Sequence, residues 1–210
     1  MRFLLALYKQ EVKMTDNIYA APEAGVSDTN KETAPPPAQF YVVSQRKFLT
    51  LYIATFGLYA IYWHYKNWAY QKAALNLDIW PVARGLFNVF FVHALFSTAG
   101  DRVFGGGKVW TWNSSRLATG WVALWLTDRI LNSLAQSGAI SAAASMLGVI
   151  AMPLMAYIAY QAQCAFNTAE NDPYGERNSQ FSSVNRVWIA LGLLLWTLSA
   201  VGAYATLTAT

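Results

Sequence analysis

The sequence is short of charge, and this shortage excludes more than any motif does. Charged residues make up 12%, about half the ~25% usual in soluble domains. Hydrophobic residues make up 55%. A soluble fold of 210 residues could not hide that much apolar surface, so the composition points to a membrane protein. Cysteine is nearly absent. Cys164 stands alone, which excludes an internal disulfide and any cysteine-based zinc cluster. No H-E-x-x-H, G-x-S-x-G or paired-carboxylate pattern occurs, and of the eleven carboxylates five lie in the N-terminal tail. The expectation is therefore no catalytic residue, no cofactor and no metal. The net charge is +4, but its basic residues form no dense run, so nucleic acid is not expected as a partner.

Five long apolar stretches are present instead: Phe48–Tyr65, Val82–Ala99, Leu117–Ala135, Ile140–Ala162 with Pro153 inside it, and Val187–Leu207. At ~1.5 Å per residue, each reaches about 27 Å or more, enough to cross a ~30 Å hydrocarbon core or nearly so. Lipid forces each backbone group to bond within its own segment, so these stretches are read as helices. The expected fold class is all-α: a multi-pass transmembrane helical bundle of about five spans over residues 40–210. The alternative has four spans, with Phe48–Tyr65 interfacial or re-entrant.

Residues 1–39 read as a disordered tail, since Ala, Pro, Thr and acids leave little to bury. The opening "MRFLLALYKQEVK" has too short an apolar run for a signal peptide. Met14 is expected to be the true start, with residues 1–13 untranslated in vivo or a frayed arm.

The stretch "FGLYAIYWHYKNW", Phe56–Trp68, packs six aromatics into thirteen positions. A ligand cage, a packed soluble core and a membrane-interface belt all compete for it. Its place at the end of an apolar stretch, before Lys66 and Lys72, favours the belt. Trp80, Trp110, Trp112 and Trp188 fall at similar edges. Counting basic residues for five spans puts Arg46, Lys47, Arg102, Lys108, Arg116, Arg177 and Arg186 on the cytoplasmic side, with Lys66, Lys72 and Arg84 outside. That predicts a cytoplasmic N-terminus and an external C-terminus. A re-entrant first stretch would even the split to five against five.

Several polar residues interrupt the apolar stretches. Asp128 and Arg129 sit inside the third. Adjacent helical residues point ~100° apart, so each is expected to need its own solution: Arg129 by snorkelling, Asp128 from a donor such as Asn132. His93 lies midway along the second stretch, with Ser97 one turn on, and reads as an interhelical hydrogen bond. Arg84 and Asn88 share another face of that stretch. "GGGKV", Gly105–Val109, fails the phosphate-loop pattern and reads as a flexible loop. Ala144 with Gly148, and Ser199 with Ala203, are small pairs that let helices approach closely. Pro153 should bend the fourth helix. In the last loop, "NDPYG" signals a turn, and Ser182 or Ser183 is a candidate helix cap. Asn167, Asn171, Asn178 and Asn185 either bind a partner or satisfy loop backbone.

"DNIYAAPEA" followed by "FYVVSQRKFLTLYIATFGLYAIYWHYKNW" resembles a group of small bacterial multi-pass inner-membrane proteins of unknown function. They share an N-P-Y-x-A-P-like start, a T-x-G-x-Y-x-x-Y-W first helix and a late NDP…N…F…N…W loop. The counterparts here are Asn17–Pro22, with Ile18 in place of the proline, Thr55–Trp63 and Asn171–Trp188. The resemblance implies a bacterial inner-membrane location and supports Met14 as the start. It brings no known activity. The functional expectation is an integral membrane protein without catalysis, acting by packing against the lipid bilayer, a membrane-protein partner or its own copies. A small transporter or channel using His93 and Asp128/Arg129 is the alternative. A lipid-modifying enzyme ranks third, for want of a nucleophile and base.

Overall fold

The computed structural model describes residues 37–105, 112–140 and 147–208. The expectations for residues 1–36, for Gly106–Val109, for Trp110 and for Ala144 lie outside the described residues. Among those described, 78% are helical and none forms a strand. Seven α-helices follow in order: α1 Gln45–Ala54, α2 Tyr59–Leu75, α3 Pro81–Leu86, α4 Asn88–Gly105, α5 Ser114–Gln136, α6 Leu147–Ala169 and α7 Ser183–Thr208. A 3-10 turn, Glu176–Asn178, sits in the last loop.

The helix starts and stops follow local chemistry. The Ser44 side chain accepts the Lys47 N–H and starts α1. The Asn113 side chain accepts the Arg116 N–H at 2.9 Å and starts α5. Pro81 opens α3, where a missing N–H costs nothing. At α7, the Ser182 hydroxyl accepts the Asn185 N–H while the Asn185 carboxamide accepts the Ser182 N–H. This reciprocal pair is a capping box, and it settles Ser182 as the cap.

The first apolar stretch does not form one helix. It breaks at Thr55–Leu58 into α1 and α2. Phe56 and Gly57 both take positive φ, +52° and +80°, and two such residues in succession end any right-handed helix. The Thr55 hydroxyl donates to Leu51 O and accepts from the Tyr59 N–H, so it closes one helix and opens the next. The chain then doubles back. Phe48 lies against Tyr59 and Trp63, at ring-centroid distances of 5.8 and 5.5 Å. Tyr41, further upstream, lies against Asn67 and Tyr70, further downstream. The expectation of a single helix over Phe48–Tyr65 is therefore corrected: α1 and α2 are the two arms of a hairpin.

The second stretch also breaks, at Phe87 between α3 and α4. The third lies within the unbroken α5, and the fifth within α7. The fourth extends beyond its expected end, since α6 runs through Pro153 to Ala169. α1 packs closely on α7 at Gly192, where a Cβ would collide with Ala54 O. The small-residue approach is made there. Ser199 is exposed.

The aromatic cluster divides. Tyr59, Trp63, His64 and Trp68 are buried, and Trp63 stacks on Phe166 at 5.3 Å. The packed-core reading holds for these four. Phe56 and Tyr62 remain exposed. Of the edge tryptophans, Trp80 and Trp188 are exposed and Trp112 is buried. One described helix is long and apolar enough to cross a membrane by length and composition: Ser183–Gly202 of α7, with mean hydropathy 1.6.

Candidate functional site

The densest polar chemistry lies around an extended segment, residues 39–44, that leads into α1. An extended chain has no internal hydrogen bonds, and burying its amides unpaired would cost about 1–3 kcal/mol each. Here, side chains supply the partners. Glu170 Oε1 accepts from the N–H groups of Gln39 and Phe40, at 2.9 and 3.2 Å. Asn67 Oδ1 accepts the Tyr41 N–H at 3.0 Å. Gln163 Nε2 donates to Tyr41 O at 3.1 Å, and Asn178 Nδ2 to Val42 O at 2.9 Å. Asn167 takes both groups of Val43, accepting its N–H at 3.3 Å and donating to its carbonyl at 2.9 Å. The Ser44 N–H reaches Asn178 O at 3.3 Å. The carboxamides pair with the segment much as a neighbouring β-strand would, and we refer to the arrangement as the clamp.

Sequence spacing builds the clamp. Gln163, Asn167 and Glu170 are four and three residues apart, so they share one face of α6. All three are buried. They brace each other as well as the segment: Gln163 Nε2 donates to Asn167 Oδ1 at 2.6 Å, and Gln163 Oε1 accepts the Trp63 indole N–H. Arg102 from the end of α4 pairs with Glu170 at 3.5 Å.

The loop after α6 completes it. Asn171 takes positive φ, +58°, a conformation asparagine tolerates better than most residues. The Asp172 carboxylate accepts the N–H groups of Glu176 and Arg177 at 2.9 and 3.0 Å and pairs with the Arg177 guanidinium at 3.2 Å. Burial pushes the Asp172 carboxyl up, but those backbone and guanidinium contacts outweigh it and hold the group below its ordinary value. Gly175, at φ +68°, presses against the backbone of Val43 and Ser44, where any Cβ would collide. Lys47 is buried, and its ammonium donates to Asn178 Oδ1 at 2.6 Å and Gln180 O at 2.7 Å. With only neutral acceptors around it, burial lowers its pKa.

The eight residues singled out from the sequence fall into separate places. Asn167 and Asn178 are clamp members and spend their carboxamides on the chain's own backbone. Asn171 shapes the turn, and Asn185 caps α7. The four serve the loop and segment rather than forming one partner surface. Asn88 donates to Gly85 O at 2.9 Å across the break between α3 and α4. His93 is exposed on α4 and bonds Thr119 of α5 at 3.1 Å, the interhelical contact expected of it. Asp128 and Arg129 depart from expectation. They pair with each other at 2.6 Å despite pointing apart at the backbone, because the long arginine stem curls back. Asn132 bonds Asp128 Oδ1 at 3.0 Å, as foreseen, and also Asp128 O at 2.8 Å. His93 and Asp128 do not meet. Thr119 and Asp128 are nine positions apart on α5, about 13 Å along its axis.

Sequence reasoning missed Asn67, Gln163 and Glu170. The available signal was the 163/167/170 polar stripe on an otherwise apolar helix. Two lysines that the five-span count separates lie close together. Lys66, set opposite Lys47 for five spans, lies over the ring of Tyr41, whose hydroxyl bonds the same Asn178 that Lys47 bonds.

Comparison with family models, with curated proteins and with solved structures finds no match. The resemblance drawn from the sequence motifs rests on those motifs alone, and geometry carries the functional argument.

Proposed function

We propose that this chain is a multi-pass protein of the bacterial inner membrane that acts without catalysis, by packing its exposed helices against lipid and a membrane partner or a second copy. The observation that carries the reading is α7. Its segment Ser183–Gly202 is only 6% buried although apolar on all sides. Leu193, Leu194, Leu195, Leu198 and Val201 are each about half exposed or more. Water does not tolerate such a surface, and lipid does. Leu86, Phe87 and Phe90 around the α3–α4 break, Ile130 on α5 and Ile150 on α6 extend the exposed apolar surface.

In this reading the α1–α2 hairpin is re-entrant and the chain also turns back at Phe87 between α3 and α4, with Gly85 against Tyr65 and Gln71 bonded to Thr98, which leaves α5, α6 and α7 as the spans. The charge distribution along α7 supports one sidedness. The clamp adjoins its N-terminal end, with Lys47, Arg102, Arg177 and Arg186 within or beside it, and no Lys or Arg follows Arg186. The positive-inside rule puts the clamp in the cytoplasm and the C-terminus outside. Exposed Ser199 and Ala200 on α7 suit close approach by a partner helix. Transport through His93 and Asp128/Arg129 draws no such support, since those groups are already bonded and stand apart.

Extraction of cell membranes with alkaline carbonate and with urea tests the reading. The protein should stay in the membrane pellet, and a phosphatase fused after Thr210 should be active. Release into the soluble fraction would sink the membrane assignment. Co-purification from mild detergent should then return a membrane protein or a second copy, and a strictly monomeric, partner-free preparation would remove the packing role.

A further inference from the structure

Two lysines flank the clamp, and they are held differently. Lys47 has its ammonium spent on two carbonyl oxygens. Lys66 lies between two phenol rings, 5.7 Å from the centroid of Tyr41 and 5.5 Å from that of Tyr70. Both distances are within cation–π range. Ring faces hold the charge but leave the ammonium N–H donors unspent, and Lys66 forms no ion pair or hydrogen bond among the described residues. The acids at this end are engaged elsewhere, Glu170 with Arg102 and Asp172 with Arg177.

The surroundings of Lys66 are rich in hydroxyl groups. Tyr62, exposed, touches the rings of Tyr41 and Tyr59 at 6.1 and 5.8 Å. The Tyr41 oxygen accepts from Asn178 Nδ2 at 2.9 Å, and the Tyr62 hydroxyl lies beside it. The Tyr59 hydroxyl is buried beside that of Tyr41, behind the patch, and is closed to a ligand. The patch thus offers an unneutralised ammonium, held by rings, amid several phenol donors. Its natural complement is an anion with several acceptor oxygens.

We propose that Lys66 with Tyr41, Tyr62 and Tyr70 binds the phosphate of an anionic lipid headgroup. This rests on the membrane reading above, which puts the patch at headgroup level on the cytoplasmic side, where anionic lipid and basic residues meet. Phenol and ammonium donors to a phosphate oxygen are charge-assisted hydrogen bonds, stronger than neutral ones. The clamp fixes Tyr41 and α2 fixes the rest, so the donors need little ordering on binding.

The test uses the full chain in neutral detergent, with phosphatidylglycerol or phosphatidylcholine added in known amounts and retained lipid counted by native mass spectrometry. The parent should retain phosphatidylglycerol in preference to phosphatidylcholine, and equal retention overturns the proposal whether or not any variant folds. Lys66→Gln should weaken phosphatidylglycerol retention about fivefold, with Lys66→Arg retaining most of it. Lys72→Gln removes the same charge from an ammonium that already donates to Ile79 O, and should change little. Equal losses from Lys66→Gln and Lys72→Gln would mean diffuse attraction and overturn the site. Inorganic phosphate should compete weakly, and competition as strong as the lipid's would reassign the site to free phosphate. Flotation with pure phosphatidylcholine vesicles tests the membrane reading separately, since it needs no anionic headgroup.

Discussion

The clamp and α7 solve opposite problems with opposite means. At the clamp, polar backbone is buried, and side chains from distant parts of the chain have to meet it group by group. Along α7, apolar side chains are left outside, and the helix satisfies its backbone without help from any other element. The first region is stabilised by the chain itself. The second depends on its surroundings. Damage to the clamp should therefore show as lost folding stability in any solvent, while damage to α7 should, on the membrane function proposed above, show as lost insertion.

The largest effect is expected from Asn167→Ala. It strips partners from Val43 N–H, Val43 O and the Gln163 amide at once, costing roughly 3–5 kcal/mol in sum. The readout is thermal unfolding in detergent, and a variant as stable as the parent would mean that the clamp is ornamental. Leu198→Arg should separate the two regions most sharply. Leu198 is 59% exposed, so unfolding in detergent should hardly move, while membrane integration should fall by about 2.5–3.5 kcal/mol on an insertion scale. Equal damage in both assays would erase the distinction drawn here. Gly175→Ala forces a Cβ into the Val43 backbone at positive φ, and about 2–3 kcal/mol of detergent stability should go.

A smaller effect should come from acid. The Asp172 pKa is lowered by folding, so its contribution is fully present above the unfolded value of 3.8 and is lost as pH falls through the folded value. Hydrogen exchange at Glu176 and Arg177 should accelerate there before α7 responds, and Asp172→Asn should flatten that dependence. Asp128→Ala should have the smallest effect, under about 1 kcal/mol. Arg129 is 62% exposed at its side chain, and Asn132 keeps its bond to the residue-128 carbonyl. A larger loss would point to a partner group on Asp128 in the assembled protein.

Much of this was legible in the sequence, and the misses have common physical causes. The helical class and the stretches that became α5 and α7 followed from long apolar runs with few charges. The breaks at Thr55–Leu58 and Phe87 did not, because an apolar residue in a turn looks the same in sequence as one in a helix. Gly57 was the visible hint, but Phe56 carries the other positive φ and nothing about a phenylalanine announces that. Asn178 was noticed for its company of asparagines, while its true partners, Val42 and Tyr41, lie more than a hundred positions away. Gln163 and Glu170 carry no signal of their own, because isolated polar residues near the end of an apolar run resemble the polar edge of any helix. The T-x-G-x-Y-x-x-Y-W and NDP…N stretches turn out to be the hairpin bend and the clamp loop. Thr55, Gly57, Asp172 and Asn178 each do a nameable geometric job in them.

The clamp also orders events during synthesis. Segment 39–44 leaves the ribosome early, but its partners Gln163, Asn167 and Glu170 lie 122 to 131 positions later. Until those residues are made, the amides of the segment have only water and Asn67 to bond. This early part of the chain is thus among the last to be locked, and a nascent chain cut short before α6 carries the segment with most of its amides unpaired.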